Sequence, residues 1–250
     1  KIRDYYMLNT TDSVYSHVVP VEYPKVGEPP SPVKIGIVTV DNDQIRWMDV
    51  PGDSREHYIP RMEWAGNSDE IVLQQLNRKQ NESKLFYCDV STGAARNFYT
   101  EDDKAFIDIK SRWNDDDPMG WDWLDNGKDF LWVSEKDGWR HIYLISREGK
   151  ETLVTRGNYD IDNIKCIDDK NGYVYFMASP DNATQLYLFR TKLNGKGKLE
   201  PLSPASLVGT HDYNISPYAK YALHSFSNYR TFPVSEWITL PDGKPLNPAQ

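Results

Sequence analysis

The sequence of 250 residues predicts an all-β protein, and three observations support this fold class. Short apolar runs with strand-like alternation recur along the chain, and helical periodicity is not sustained anywhere. Aromatic residues make up 13% of the chain, a content that suits strands and argues against disorder. The third observation is an internal repeat, which predicts the architecture.

The repeat consists of an apolar anchor, a short polar turn and two strand-like runs, and it occurs four times in the same order. Successive anchors lie about 44 to 59 residues apart, which is close to the period of β-propeller blades. The sequence therefore predicts a β-propeller fragment with about four blades, each a four-stranded antiparallel sheet, plus a partial blade. The anchors are Trp64, Trp123, Ile167 and Ile215.

The partial blade comes first. The alternating run Val33–Val40 and the run Gln44–Asp49 flank a polar turn, which is a hairpin signature. An earlier strand is predicted at Val14–Val21. The proline-rich segment Tyr23–Pro32 predicts a stiff connector, because proline fixes φ and cannot donate to a ladder. We expect this hairpin to be the outer pair of a blade whose inner strands precede the sequence.

Four repeats follow the hairpin, and the last stops at a turn with hardly a strand after it. Because both ends fall inside blades, we expect residues 1–250 to be part of a single propeller domain cut from a larger ring. The spacing alone also fits a small closed ring. The repeats run over Arg61–Thr100, from about Trp121 to Arg156, from about Asn163 to Pro201, and from near Tyr213 onward.

Composition excludes several classes of function. The net charge of −8 gives no electrostatic footprint for a nucleic-acid partner. No apolar stretch approaches the length of a membrane span. The two cysteines, Cys88 and Cys166, lie in apolar runs without zinc-type spacing, and we expect two buried free thiols. A glycine-rich phosphate loop is missing, and we predict no cofactor.

Catalytic motifs are also missing, so no catalytic residue is predicted. Gly-X-Ser-X-Gly does not occur, and Ser54 lies in a loop segment without a following helix, which indicates a structural role. The five histidines are scattered. His211 and Asp212 are adjacent, but adjacent side chains on a strand point apart, so we expect no relay between them. No spacing singles out a pair of carboxylates of the glycosidase type.

The acidic segment Glu101–Gly120 is the longest insertion between anchors. A calcium loop needs alternating ligands and a glycine at its bend, whereas Asp115–Asp117 are consecutive acids. We therefore predict an exposed, solvated insertion and no metal site. Within it, Arg112 and Trp113 place a cation and an aromatic ring in a blade-to-blade loop, where a ligand can be contacted.

Several segments, taken together, resemble one enzyme family. Val21–Val33 contains Tyr-Pro-Lys-X-Gly, followed by Ser-Pro where the family has Asn-Pro. Ser134–Tyr143 contains Lys-Asp-Gly-Trp-Arg-His, which is similar to a strand–turn–strand of that family. The combination resembles the N-terminal propeller of dipeptidyl peptidase IV-like serine exopeptidases, in the prolyl oligopeptidase clan. Two further segments that resemble the family's preceding blade are Arg61–Trp64 and Leu73–Arg78.

The resemblance implies an eight-bladed ring joined to a C-terminal α/β-hydrolase domain that carries a Ser-Asp-His triad. Such enzymes release N-terminal dipeptides that have Pro or Ala as second residue, through a serine ester. The triad would lie beyond Gln250, and the glutamates that hold the substrate amine would precede Lys1. This chain would then gate and help bind the peptide and pack on the hydrolase domain, with no activity alone.

The resemblance also implies site residues. The family has an aromatic–Arg pair that reaches the active-site cavity, and Arg112 and Trp113 lie in the corresponding loop, which makes them the expected substrate-binding residues. Asp137, Arg140 and His141 are expected to fix their hairpin instead.

The expected partners are a peptide substrate and the hydrolase domain of the same parent chain, and a homodimer stays open. The implied location is periplasmic, cell-surface or secreted. Two alternatives remain at this point. One is a self-contained propeller of five blades that binds glycans or proteins. The other is the propeller of a related tripeptidyl or acylaminoacyl peptidase.

Overall fold

The computed structural model describes residues 2–109, 121–124 and 127–246. Within these ranges the chain is built from strands, and one 3-10 turn occurs at Pro217–Ala219. The strands are β1 (Asp4–Asn9), β2 (His17–Glu22), β3 (Gly36–Thr39), β4 (Gln44–Trp47), β5 (His57–Trp64), β6 (Glu70–Asn77), β7 (Glu82–Asp89), β8 (Ala95–Asp102), β9 (Asp122–Leu124), β10 (Asp129–Ser134), β11 (His141–Ser146), β12 (Glu151–Leu153), β13 (Ile161–Asp168), β14 (Tyr173–Ala178), β15 (Tyr187–Lys192), β16 (Glu200–Pro201), β17 (Thr210–Ile215), β18 (Tyr221–Asn228) and β19 (Thr231–Thr239).

Three sheets have four antiparallel strands in sequential order: β5–β6–β7–β8, β9–β10–β11–β12 and β13–β14–β15–β16. A fourth sheet, β17–β18–β19, has three strands, and β1–β2 and β3–β4 are separate hairpins. Sequential antiparallel strands within each sheet are the topology of propeller blades. The predicted all-β class with four-stranded antiparallel blades is confirmed.

The described residues divide into two compact units, and the first comprises residues 1–64 and 68–100. Its core lies on β6 and β7, where Leu73 and Phe86 are buried among apolar neighbours that include Met48. The predicted hairpin is present as β3 and β4, although both strands are shorter than their apolar runs. Asp43 closes its turn at a φ of 53°.

The strand predicted at Val14–Val21 begins later, at His17, and pairs with β1, which the sequence analysis missed. The side-chain oxygen of Asn9 accepts hydrogen bonds from the backbone amides of Thr11 at 3.0 Å and Asp12 at 3.2 Å. This side chain-to-backbone turn precedes the predicted run, and pairing with β1 starts only at His17, opposite Asn9.

The second unit comprises residues 65–67 and 101–250 and holds the sheets β9–β12, β13–β16 and β17–β19. Strand β14 is buried on both faces. Val174 and Phe176 contribute to one apolar cluster, and Tyr175 and Met177 contribute to another. Because side chains alternate across a strand, the sheet β13–β16 packs between its two neighbours.

The fourth repeat starts at Thr210 and has two long strands, β18 and β19, that extend beyond the predicted runs. After the turn that follows β19, the amide of Leu246 donates to the carbonyl of Trp237 at 2.8 Å, and Pro245 pairs with Ile238. These two residues lie along the outer edge of β19, where the other blades have a fourth strand.

Two expectations need correction. Glu101 was expected in an exposed insertion, but it is buried at the end of β8, because Trp132 and Ser134 donate hydrogen bonds to its carboxylate. Cys88 is buried as expected, whereas Cys166 is only half-buried, and both thiols are free. Of the described residues, none belongs to a helix with the length and hydropathy that a bilayer crossing requires.

Candidate functional site

A groove with a volume of about 1000 Å³ lies at one end of the sheets in the second unit. Its walls are the loops β10–β11, β12–β13 and β14–β15, together with Thr210 at the start of β17. In antiparallel sheets every second connection emerges at the same end, so these blade-to-blade and hairpin loops meet there. The fold therefore collects loops of different blades around one concave surface.

The β10–β11 loop is fixed by Asp137. One carboxylate oxygen of Asp137 accepts a hydrogen bond from Nδ1 of His141 at 2.8 Å, and the other accepts from the amide of Trp139 at 3.2 Å. Gly138 supplies a φ of 93° at the turn, as the Asp-Gly pair predicts. Trp139 is exposed at the rim of the groove. The expected role of Asp137 and His141 in fixing the hairpin is observed.

Arg140 ties this hairpin to the next loop through its backbone. Its amide donates to the side chain of Asp160 at 2.7 Å, and its carbonyl accepts from the amide of Ile161 at 2.9 Å. The loops β10–β11 and β12–β13 therefore form one continuous wall.

The charge of Asp137 is set by its hydrogen bonds. Burial raises the pKa of Asp137, but hydrogen bonds from His141, the amide of Trp139 and the hydroxyl of Tyr143 outweigh burial and leave the pKa lowered. Burial and the contact with Asp137 raise the pKa of Tyr143. Asp137 is therefore a carboxylate at neutral pH, and Tyr143 is a neutral hydrogen-bond donor.

The β14–β15 loop forms the opposite wall and is a compact turn. The amide of Gln185 donates to the carbonyl of Asn182 at 3.1 Å, and the hydroxyl of Thr184 donates to the side chain of Asn182 at 2.8 Å. The hydroxyl of Ser179 closes the turn on the carbonyl of Gln185. These bonds hold the wall in place without an apolar core of its own.

The groove carries more carboxylates than cations. An excess of negative charge in a concave surface attracts positively charged groups such as a peptide amine. Arg140 contributes the basic side chain of the lining. The carboxylates along the lining are Glu135, Asp160, Asp162 and Asp181.

The described residues contain no set of side chains arranged for catalysis. No serine among them is hydrogen-bonded to a histidine, and no three of their His, Cys, Asp or Glu side chains form a cluster that could hold a metal ion. The backbone carbonyl of Ser54 accepts a hydrogen bond from the amide of Val33 at 3.1 Å. Arg112, Trp113 and Asp115–Asp117 lie outside the described residues.

The expectation for the adjacent pair His211–Asp212 is confirmed. Asp212 pairs with Nζ of Lys165 at 2.7 Å, and His211 turns into the core. Sequence reasoning missed the partners of His211, which are His224 and, beyond it, Glu236. The sequence did contain a signal for this contact, because His211, His224 and Glu236 occupy positions at which the strand alternation predicts apolar residues.

The sequence matches the family described as the dipeptidyl peptidase IV (DPP IV) N-terminal region over residues 1–233. The chain belongs to this family. The resemblance drawn from its segments is confirmed, and its sheets are blades of the DPP IV N-terminal propeller.

Similar proteins carry related names. Dipeptidyl-aminopeptidase B of Aspergillus niger is 25% identical over 225 residues, which cover 85% of this chain and 24% of that protein. "Probable dipeptidyl-aminopeptidase B" of Penicillium rubens is 27% identical over 227 residues, with the same coverage. The crystal structure of Porphyromonas gingivalis dipeptidyl peptidase 4 superimposes with a TM-score of 0.81 at 27% identity, over 98% of this chain and 33% of that one. This DPP IV N-terminal region thus spans about a quarter to a third of its relatives' length.

Proposed function

We propose that this chain is the propeller portion of a serine-type dipeptidyl peptidase that releases Xaa-Pro or Xaa-Ala dipeptides from peptide N-termini. The observation that carries the proposal is the superposition of 98% of the chain on a dipeptidyl peptidase 4 at 27% identity. The chain has no catalytic residue of its own, and a C-terminal α/β-hydrolase domain of the same parent chain supplies the triad. The whole of residues 1–250 then belongs to one propeller of an eight-bladed ring.

The substrate contacts the end of the second unit at which the groove lies. Strand β9 begins at this end, and Arg112 and Trp113 precede β9 in the sequence. A guanidinium donates two parallel hydrogen bonds to a carbonyl or carboxylate of the peptide, and an indole ring packs on an apolar side chain. The carboxylates of the groove favour approach of the peptide's amino-terminal ammonium group. We assign gating and peptide binding to this face.

The parent enzyme acts on extracellular or periplasmic peptides, at the cell surface, in the periplasm or after secretion. This location follows the family, as does assembly into a homodimer. The hydrolase domain packs on the propeller and closes the cavity in which the peptide end is held, and the serine ester formed there is then hydrolysed by water.

The test is steady-state kinetics of the full-length enzyme with a Gly-Pro chromogenic substrate. We expect Arg112→Ala and Trp113→Ala each to raise KM about tenfold, because one lost contact of about 1.4 kcal/mol corresponds to that factor. kcat should change much less, since these residues bind and do not react.

A matched control is available in the turn between β18 and β19. Tyr229 and Arg230 are an exposed aromatic–Arg pair there, and the double variant Tyr229→Ala/Arg230→Ala should leave KM unchanged. If the Arg112→Ala and Trp113→Ala variants kept the wild-type KM, these two residues would not belong to the substrate-binding site. Release of tripeptides instead of dipeptides would show that the parent enzyme is a tripeptidyl peptidase. A protein without hydrolysis that binds glycans would be a self-contained binding module instead.

A further inference from the structure

A buried chain of polar side chains crosses the β17–β18–β19 sheet. Nδ1 of His211 lies 2.8 Å from Nε2 of His224, and Nδ1 of His224 lies 3.1 Å from a carboxylate oxygen of Glu236. Nε2 of His211 lies 2.8 Å from the carbonyl oxygen of Leu207. His211 is 0% and His224 2% exposed, whereas the side chain of Glu236 is 37% exposed. These hydrogen bonds therefore connect the backbone carbonyl of Leu207, through two buried imidazoles, to a carboxylate that reaches the solvent.

The register of the sheet aligns these groups. His224 pairs with Tyr213 on one side and with Glu236 on the other. Side chains alternate along a strand, so His224 shares its face with Ala222, and Glu236 shares its face with Ile238. Ala222 and Ile238 belong to the apolar cluster that packs on the sheet β13–β16. His211, His224 and Glu236 thus lie on the same face of the sheet as these apolar residues.

The three hydrogen bonds of the chain require three protons. The carbonyl of Leu207 only accepts, so Nε2 of His211 carries a proton. A second proton lies between the two imidazoles, and a third lies between His224 and Glu236. Two neutral imidazoles and a carboxylate supply only two protons. The fully hydrogen-bonded network of side chains therefore binds one proton more, and its imidazolium and carboxylate charges cancel.

We propose that His211, His224 and Glu236 share this additional proton, and that it couples the packing of the β17–β19 sheet to pH. Burial lowers the pKa of His211, which the bond to Leu207 opposes and the charge of His224 reinforces. His211 is therefore the neutral imidazole, and the additional proton lies in the contact between His224 and Glu236. Loss of the proton would set two acceptors face to face in a buried site, which is unfavourable.

The other polar groups around the hydrogen-bonded network have their own partners and do not supply this proton. Tyr187 of β15 stacks near His211 at 5.3 Å between ring centroids, and its hydroxyl is bonded to Gln185. Burial raises the pKa of Tyr213 to about 12, and its hydroxyl lies 3.0 Å from that of Ser203. Asp212 is paired with a lysine of β13. The hydrogen-bonded network therefore consists of the two imidazoles and the carboxylate of Glu236.

The direction of the pH dependence follows from the proton count. In the unfolded chain the imidazoles lose their extra protons near pH ~6.5. Above this pH the folded chain binds one proton more than the unfolded chain, so stability falls as pH rises. Below it the unfolded chain binds one proton more, so stability falls as pH drops. The contribution of the network to stability is therefore largest near pH ~6.5.

The network lies under one wall of the groove. The amide of His211 donates to the carbonyl of Leu186 at 2.9 Å, and Leu186 forms a bridge with Thr210. Both Leu186 and Thr210 line the groove. Loss of the shared proton therefore loosens the sheet where it forms that wall.

The test compares urea unfolding of the full-length protein and its Glu236→Gln variant as pH is raised. A glutamine amide donates to Nδ1 of His224, so two neutral imidazoles complete all three bonds. Above about pH 7, we expect the unfolding constant of the wild-type chain to rise up to about tenfold per pH unit relative to the variant. The other histidines are common to both proteins and cancel in this ratio.

The matched control is Glu200→Gln. Glu200 is paired with Arg190 at 2.8 Å, and its side chain is 41% exposed, but it contacts no imidazole. This variant should keep the wild-type pH dependence. A second measurement, the imidazole nitrogen resonances of the folded wild-type chain at about pH 7.5, should show a doubly protonated His224 and a neutral His211. Parallel pH curves for the wild-type and Glu236→Gln chains, or two neutral imidazoles, would overturn the proposal.

Discussion

Glu101 and Trp132 are joined by a hydrogen bond of 3.0 Å from the indole nitrogen to a buried carboxylate. The other carboxylate oxygen of Glu101 accepts from the hydroxyl of Ser134 at 2.6 Å. Trp132 and Ser134 lie on β10, and Glu101 is the penultimate residue of β8. The carboxylate therefore fastens the start of the acidic segment to strand β10.

Removal of this carboxylate should destabilise the second unit. Glu101→Ala takes the shared acceptor from two buried donors, and each such loss costs about 1–3 kcal/mol. Glu101→Gln keeps one acceptor oxygen and should cost less. The free energy of unfolding in urea measures both, and the exposed neighbour variant Asp102→Ala should stay within about 0.5 kcal/mol of wild type. Equal stability of Glu101→Ala and Asp102→Ala would contradict this role.

Asp137 should contribute to stability at neutral pH and lose that contribution in acid. Its pKa is lowered in the folded chain because the hydrogen bonds from His141, Trp139 and Tyr143 outweigh burial. A lowered folded pKa gives stability above the unfolded value of about 3.9 that disappears as pH falls through the folded value. Asp137→Asn should therefore flatten the acid limb of the stability curve. An unchanged acid limb in thermal melts would refute the assignment.

Cys88 should be inert toward thiol reagents in the folded protein. Burial, followed by the charge of Glu70, raises its pKa to about 12, so the thiolate is scarce at any pH used for labelling. Burial also raises the pKa of the half-buried Cys166. Titration with a chromogenic disulfide should release thiolate only after denaturant is added. Prompt labelling of Cys88 in the native chain, located by peptide mass spectrometry, would show that the site is open.

Two glycines with positive φ should differ in their tolerance of alanine. At Gly138 an added Cβ meets no atom within 4 Å, so Gly138→Ala should cost only the left-handed backbone penalty, about 1–2 kcal/mol. At Gly66 a Cβ would lie 2.8 Å from the Cα of Gly127, so Gly66→Ala should cost more, because two backbones must separate. Urea midpoints of the two variants give the comparison. A smaller loss for Gly66→Ala would contradict the close approach.

The blades could be predicted from the sequence because each anchor and its following runs are local patterns. Trp123 and Ile167 lie on the first strand of their sheets, as the repeat predicts. Strand β1 was missed because its residues Tyr5–Leu8 form a continuous apolar run without alternation, and its partner is placed by the turn at Asn9. Local periodicity carries no information about such a turn.

The site was less predictable, because its contacts join residues far apart in the sequence. Asp137 and His141 are four residues apart in one hairpin, and the sequence predicted that both fix this hairpin but not that they contact each other. The contact of His211 with His224 and Glu236 depends on the register of three strands, which alternation alone does not fix. The burial of Glu101 depends on hydrogen-bond donors of β10. The acidic composition of its own segment, which predicted an exposed insertion, gives no sign of these donors.

The central claim is that this DPP IV N-terminal region belongs to an enzyme that removes dipeptides. Its most direct test is mass spectrometry of the products when the full-length protein is incubated with a peptide that begins Ala-Pro. We expect the free dipeptide Ala-Pro as the first product, and no cleavage of the same peptide with an acetylated amino terminus. First release of a single residue or a tripeptide, or cleavage that ignores acetylation, would contradict the account.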